Sequence, residues 1–222
     1  MKIIIIGGFA LKKLEFIYKR HSIRKFKNVE IPNEDIRELI KAATYAPSGK
    51  NLQNWHFVVI KNKEKIEEIA KIVERKNAEL ASYTSDEDLK KNFTKYVKYH
   101  TVFRNAPVLV LVYAGPYPST GLEFLKEKGA SKEEIHRLLR PSAGIQNIAA
   151  AMENLLLAAA NMGYGGCWMT GPNYASKEIE EYVGFNKEGF FLAALTPLGV
   201  PEESELKSPK RKPVDEVLTI IE

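Results

Sequence analysis

A sheet covered by helices on both faces is what this 222-residue sequence predicts. Three observations carry that expectation. PVLVLVYA, residues 107–114, is a near-continuous apolar run rich in β-branched side chains, which suits a central strand buried on both sides. Segments of helical period, such as IRELIKAATYA and residues 63–82, alternate with short strand-like runs. The long segment SAGIQNIAAAMENLLLAAANMGYGG, centred on a helix over 142–162, has Glu153 as its one charged residue, so nearly every face must be covered by protein. A central core position would cover it. So would a subunit interface, because Ala149, Ala150, Ala151 and Ala158 to Ala160 let helices approach closely.

In chain order, LKKLEFIYK places apolar side chains at 11, 14, 17 and 18 and reads as a helix ending at the polar cluster RHSIRKF. Pro32 sits at the next helix start, with Asn33, Glu34 and Asp35 in the first turn, where acidic side chains meet the positive helix end. Pro47 ends that helix. HFVVI reads as a strand, 63–82 as an amphipathic surface helix, and 86–104 as helical and rich in Lys and Tyr. GPYPSTG is a loop, and residues 121–139 read as helical. Gly163 to Gly166 end the low-charge helix, CWMT begins a strand, and Gly171-Pro172 closes it. A short helix near 176–183 and the strand FFLAALTPLG follow. The tail PEESELKSPKRKPVDEVLTII is a charged arm with a strand-like end, which must dock on something to be ordered. No repeat or linker divides the chain, so one domain over 1–222 is expected.

Composition narrows the function. The 33 Lys and Arg are interleaved with 28 Asp and Glu, as in EKIEEIAKIVERK, and the net charge is only +5. That is the pattern of solvated helix faces, without the basic and aromatic array of a nucleic-acid groove. A lone cysteine, Cys167, excludes an internal disulfide and a thiol zinc site, and fits a reducing compartment. The opening MKIIIIGGFA is too short in its apolar run for a signal sequence or membrane span, which points to the cytoplasm. Gly7 and Gly8 lack the third glycine of a dinucleotide loop, so no Rossmann site is expected there.

Two stretches carry chemistry. APSGKNLQNWHF, residues 46–57, stops a helix at Pro47, turns at Ser48 and Gly49, and offers the amides of Asn51, Gln53 and Asn54. Those amides suit the edge of a flat heteroaromatic ligand, although a solvated loop between helix and strand would use the same residues. RHSIRKF places Arg20, Ser22 and Arg24 at alternating positions, on one side of an extended segment. Two guanidiniums and a hydroxyl on one face suit a phosphate, as they would a solvated basic turn. A second basic cluster, KRK at 210–212, would enclose the same anion if the arm brings it near.

Taken in order, RHSIRKF, APSGKNLQNWHF, NMGYGGCWMTGP, PLGVPEE and KRKP resemble the motifs of the FMN-dependent nitroreductase family. The resemblance covers the chain from about residue 14 onward, leaves residues 1–10 outside, and gains its specificity from the order of the motifs. It implies an α+β, three-layer fold with a central mixed sheet between helices. It also implies an intertwined homodimer whose arm, 201–222, extends over the partner and adds a strand to its sheet. Arg20, Ser22 and Arg24, with Arg211, match the ligands of the FMN phosphate and ribityl chain. His21 lies in the same segment and contributes backbone. Pro47, Ser48 and Asn51, with Gln53, match the loop against the isoalloxazine ring, often contributed across the dimer. The family usually has Gln-Pro-Trp where this chain has Gln53-Asn54-Trp55. Thr170 and Gly171 match the position whose backbone N–H faces the flavin N5, where a donor stabilises developing charge and a small residue permits close approach.

By the same resemblance, NADH or NADPH reduces the flavin, leaves, and is replaced by a nitroaromatic, quinone or similar acceptor in ping-pong turnover. Solvent can supply the protons, so no catalytic acid or base is named. Trp55 and Trp168 read as core aromatics, Cys167 as packing and His56 as structural, while His100 and His136 have no visible partner. Phe103, Tyr113, Tyr117 and Phe124 offer aromatic surface for a pocket, or core packing. Dehalogenation, flavin breakdown or peptide-ring oxidation on the same fold, or flavin storage without turnover, stand as alternatives.

Overall fold

The computed structural model describes residues 14–202 and 209–222. The expectations for residues 1–10, including the rejected dinucleotide loop, lie outside that range. Four strands form one sheet: β1 (Trp55–Ile60), β2 (Val108–Ala114), β3 (Gly165–Gly166) and β4 (Phe191–Gly199), in the order β1-β2-β4-β3. Every pairing between them is antiparallel. Among the described residues, the parallel element expected of a mixed sheet is a single bridge, Ser22 to Gly166.

β2 lies between β1 and β4, and all of its residues are buried. Because strand side chains alternate, its two faces feed two cores. Val108, Val110, Val112 and Ala114 pack with α2 (Asn33–Thr44) and α8 (Ala143–Asn161) on one side. Leu109, Leu111 and Tyr113 pack on the other with α3 (Lys63–Ala81) and α9 (Ser176–Val183). The two covers make the α+β three-layer arrangement that the resemblance implies, around the doubly buried strand that the apolar run predicts.

Several segments are shorter or more broken than expected. α1 is the five-residue Glu15–Lys19. Residues 86–104 divide into α4 (Glu87–Lys95), capped by the Asp86 carboxylate, α5 (Val97–His100) and a 3-10 turn. Residues 121–139 divide into α6 (Leu122–Glu127) and α7 (Lys132–Leu139): Gly129 turns at φ 71°, and Ser131 and Glu134 form a capping box that starts a new helix. CWMT is not a strand. Strand pairing belongs to Gly165 and Gly166 and resumes only at Met169, which bridges Leu195. VLTII likewise forms no strand within the chain, and Val217, Leu218, Ile220 and Ile221 are exposed.

α8 takes the central core position, with one side less covered than the other. Ile148, Ala151, Met152, Leu155 and Ala159 are buried in the core, while Ala149, Leu157 and Ala160 on its other side are only half-covered by this chain. Among the described residues, no helix is long and apolar enough to cross a membrane.

Candidate functional site

The basic segment is extended because it is stitched to the sheet edge. Past α1, Arg20 turns to ψ 126°; Ile23 N donates to Gly166 O at 2.8 Å and Lys27 N to Val200 O at 2.9 Å. Glu202 N donates to Lys25 O at 3.2 Å, so RHSIRKF and the start of PLGVPEE meet. Ile23 and Phe26 point inward and are buried, which leaves Ser22 and Arg24 facing out. Gly165 makes this possible: a Cβ there would stand 2.3 Å from Ile23 Cγ1. Arg20 is half-buried, with Nε 3.8 Å from Glu153 Oε1 on α8. His21 Nδ1 lies 2.8 Å from Lys19 O, which keeps its ring close to its own backbone.

A cleft of about 560 Å³ opens beside this segment. Its walls include Arg24, Tyr96, Tyr99, His100, Cys167 and the run Trp168 to Pro172. The volume falls within the roughly 300–1,000 Å³ usual for small-molecule and cofactor sites. Arg24, Thr170 and Gly171 are therefore brought together on one cleft. Burial pushes the Cys167 thiol up, against the opposing pull of Arg24, a hydrogen bond to Ser22, and Arg20. The thiol therefore stays protonated at neutral pH and serves as packing.

The loop at 46–57 lies elsewhere. Gly49 N donates to Asn147 Oδ1 at 3.1 Å, and Lys50 Nζ donates to Pro118 O at 3.0 Å while facing the Tyr117 ring. Gly166 borders Leu156, nine residues further along α8 than Asn147, about 13 Å at 1.5 Å per residue. Pro47, Ser48, Asn51 and Gln53 thus lie beside a different stretch of α8 from the cleft. Lys50, Asn51 and Gln53 hold φ of 58°, 50° and 45°, conformations that non-glycine residues adopt only when their surroundings enforce them. Ser48 Oγ accepts from Gln53 N at 3.1 Å, and Gln53 Nε2 donates to Asn51 Oδ1 at 3.1 Å. These bonds help to enforce the loop.

Asn54, which stands at the proline position of the family motif, is 5% exposed and holds the loop's base. Its Nδ2 donates to Gly115 O and Gly144 O, and its Oδ1 accepts from Asn147 Nδ2 at 2.8 Å. The sequence signals neither this amide pair nor His100, whose ring lies against Gly171. Arg211 is not joined to Arg20 within the chain; it is exposed, and the hydrogen bonds of its segment run between near neighbours such as Glu216 N and Pro213 O. Trp168 is 37% exposed on the cleft wall, not core as its size suggests. Phe103 and Tyr113 are wholly core, Phe124 is exposed, and Tyr117 lines a separate cleft near Ser142 to Ile145. His56 is structural, stacked on Phe185 at 4.5 Å. Among the described residues, no group of three His, Cys, Asp or Glu could hold a metal ion.

The nitroreductase family model matches residues 17–200. The chain belongs to the nitroreductase family. A solved BluB-like flavoprotein of Clostridium difficile 630 is 44% identical, with a TM-score of 0.89 over 97% of this chain and 100% of that one. A nitroreductase with bound FMN from Bacteroides fragilis is 25% identical, with a TM-score of 0.69 over 94% of this chain and 98% of that one. An iodotyrosine deiodinase of Hydra vulgaris is 29% identical over 206 residues, covering 90% of this chain and 69% of the relative.

Proposed function

We propose that this nitroreductase-family chain is an FMN-dependent oxidoreductase that passes hydride from NADH or NADPH to a nitroaromatic, quinone or similar acceptor. The observation that carries the reading is the hydrogen-bonded join of Ser22–Ile23 to Gly166, which sets Arg24 and Gly171 on one cleft. The donor set fits FMN: guanidiniums and a hydroxyl for a phosphate, a glycine backbone for close approach to a ring, and a cleft of cofactor size. FMN, when bound, accepts hydride from the nicotinamide and delivers it to the acceptor.

The chain's own residues hold and orient. Arg20, Ser22 and Arg24 bind the phosphate and ribityl end through charge-assisted hydrogen bonds. His21 keeps the segment's backbone in register, and Thr170 with Gly171 presents a backbone donor to the ring. Pro47, Ser48, Asn51 and Gln53 cover the ring of the partner subunit's site, which accounts for two half-sites at opposite stretches of α8. A homodimer also covers the open side of α8. It gives the exposed Val217, Leu218, Ile220 and Ile221 a surface to dock on, and brings Arg211 to the phosphate of the partner's site. One domain over 1–222, resident in the cytoplasm, completes the proposal.

Steady-state NAD(P)H oxidation with menadione or a nitroarene tests it: turnover with parallel-line kinetics supports the reading, and no oxidation by the FMN-loaded protein sinks it. The deiodinase relative favours a second reading, reductive dehalogenation at the same site. Halide release from a halophenol under the same conditions, with no quinone or nitroarene turnover, would replace the first reading by the second.

A further inference from the structure

His100 closes α5, and the fold gives its ring two neighbours of different kinds. A Cβ built on Gly171 would stand 2.5 Å from His100 Cδ2 and 2.8 Å from Nε2. That edge of the imidazole therefore lies against the Gly171 backbone, on the wall of the cleft that Arg24, Tyr96 and Tyr99 also line. On the other edge, Nδ1 lies 3.4 Å from the Tyr174 hydroxyl, which lies 3.3 Å from Val73 O. A phenol carries one proton and a carbonyl can only accept, so Tyr174 donates to Val73 O and accepts from His100 Nδ1–H. The neutral ring is thereby held in the tautomer that leaves Nε2 bare beside Gly171.

The charged and titratable groups around it are few. Lys98 and Tyr99 share its helix, and Tyr96 ends α4. Arg24 and Cys167 line the same cleft, and Tyr174 stands behind with Glu74 and Asn77 of α3 at its hydroxyl. Burial lowers the imidazole below its ordinary 6.5, so it is neutral at pH 7. A negative charge arriving within roughly 4–6 Å of such a ring favours its protonated form, by about 1–3 pH units.

Resting on the FMN reading above, we propose that His100 Nε2 is the proton-coupling group of the cleft, bare beside the oxidised cofactor and protonated when the cofactor becomes anionic on reduction. The balance is complete. Reduction of bound FMN would place two electrons and one proton from the reductant and solvent on the flavin, and a second proton from solvent would come onto His100 Nε2. Reduction then takes up one proton more than the cofactor alone requires. The close approach at Gly171 places Nε2 on the cleft wall, where it would meet such a charge.

The test is the midpoint potential of FMN bound to the full chain, followed from about pH 5 to about pH 8, the range in which imidazoles titrate. His100→Asn is compared, since its amide can keep the Tyr174 contact but cannot titrate. The wild-type equilibrium should shift by an additional tenfold per pH unit over part of this range, about 30 mV for a two-electron couple. The variant should lose that component. Equal slopes in both proteins overturn the inference. Imidazole nitrogen NMR of the wild-type chain gives the answer without a variant: Nε2 should be unprotonated at pH 7 in the oxidised protein and protonated after reduction, and an unchanged ring overturns the inference. A protein that binds no FMN at all fails earlier, at the reading on which the inference rests.

Discussion

Replacing Asn147 by alanine should destabilise the protein by about 1.5–4.5 kcal/mol, although Asn147 touches no expected ligand. The side chain is 6% exposed and makes two hydrogen bonds, from Nδ2 to Asn54 Oδ1 at 2.8 Å and from Gly49 N to its own Oδ1 at 3.1 Å. Asn54 cannot swing away to find water, because its Nδ2 remains tied to Gly115 O and Gly144 O. Its Oδ1 is then buried without a donor, which costs roughly 1–3 kcal/mol. Gly49 is exposed, so water replaces its partner and the loss there is about 0.5–1.5 kcal/mol. For a chain of this size each kcal/mol lowers Tm by about 2–4 °C, giving about 3–18 °C in all. Far-UV dichroism during heating, at fixed protein and FMN concentrations, reads the shift. A cycle with Asn54→Ala should show a coupling of at least about 1 kcal/mol, because the second substitution removes the orphan that the first creates. A Tm loss below about 1 °C, or no coupling, would refute the argument that this amide pair holds the 47–53 loop.

Arg20→Ala and Arg211→Ala should each weaken FMN binding about tenfold to a hundredfold, with near-normal turnover restored by excess FMN; fluorescence titration and NAD(P)H oxidation at saturating FMN check both. Gly171→Val should do the opposite, since its added atoms meet the His100 ring: turnover falls or the flavin spectrum changes, and excess FMN gives no rescue. Tyr113→Phe should stabilise the protein by roughly 1 kcal/mol at pH 7, because its buried hydroxyl has no hydrogen-bond partner. Burial, reinforced by Glu180, pushes that phenol up from 10.0 to about 12. Above pH 10.0 the unfolded chain therefore releases a proton that the folded chain keeps, so stability present below pH 10.0 is lost as pH rises toward about 12. Urea unfolding across that interval should show a shallower loss in the phenylalanine variant.

The layers were legible wherever one local signal sufficed. The run at 107–114 fixes a strand covered on both faces, and Ser176–Val183 and Phe191–Gly199 fall where helical and strand periods place them. The 165–170 stretch misled because its strand is made by glycines. Gly165 and Gly166 pair because a Cβ on either would meet Ile23, Leu156 or Thr196, and those neighbours come from distant parts of the sequence. The alternation of Arg20, Ser22 and Arg24 around buried Ile23 is local and could be read directly. His100 beside Gly171 and Asn54 beside Asn147 are long-range pairs of residue types with ordinary uses elsewhere, so neither could be singled out. Residues 47–53 and 20–24 lie beside different stretches of α8 within one chain, so the one site that the resemblance implies for them would draw its loop from a partner subunit.

The most direct measurement is the visible absorbance of the purified chain, followed by chromatography of the supernatant after heat denaturation. The expected result is a yellow protein that releases non-covalent FMN, held in the cleft lined by Arg24 and Gly171. A colourless chain that takes up no FMN on reconstitution, or one that releases FAD instead, would contradict it.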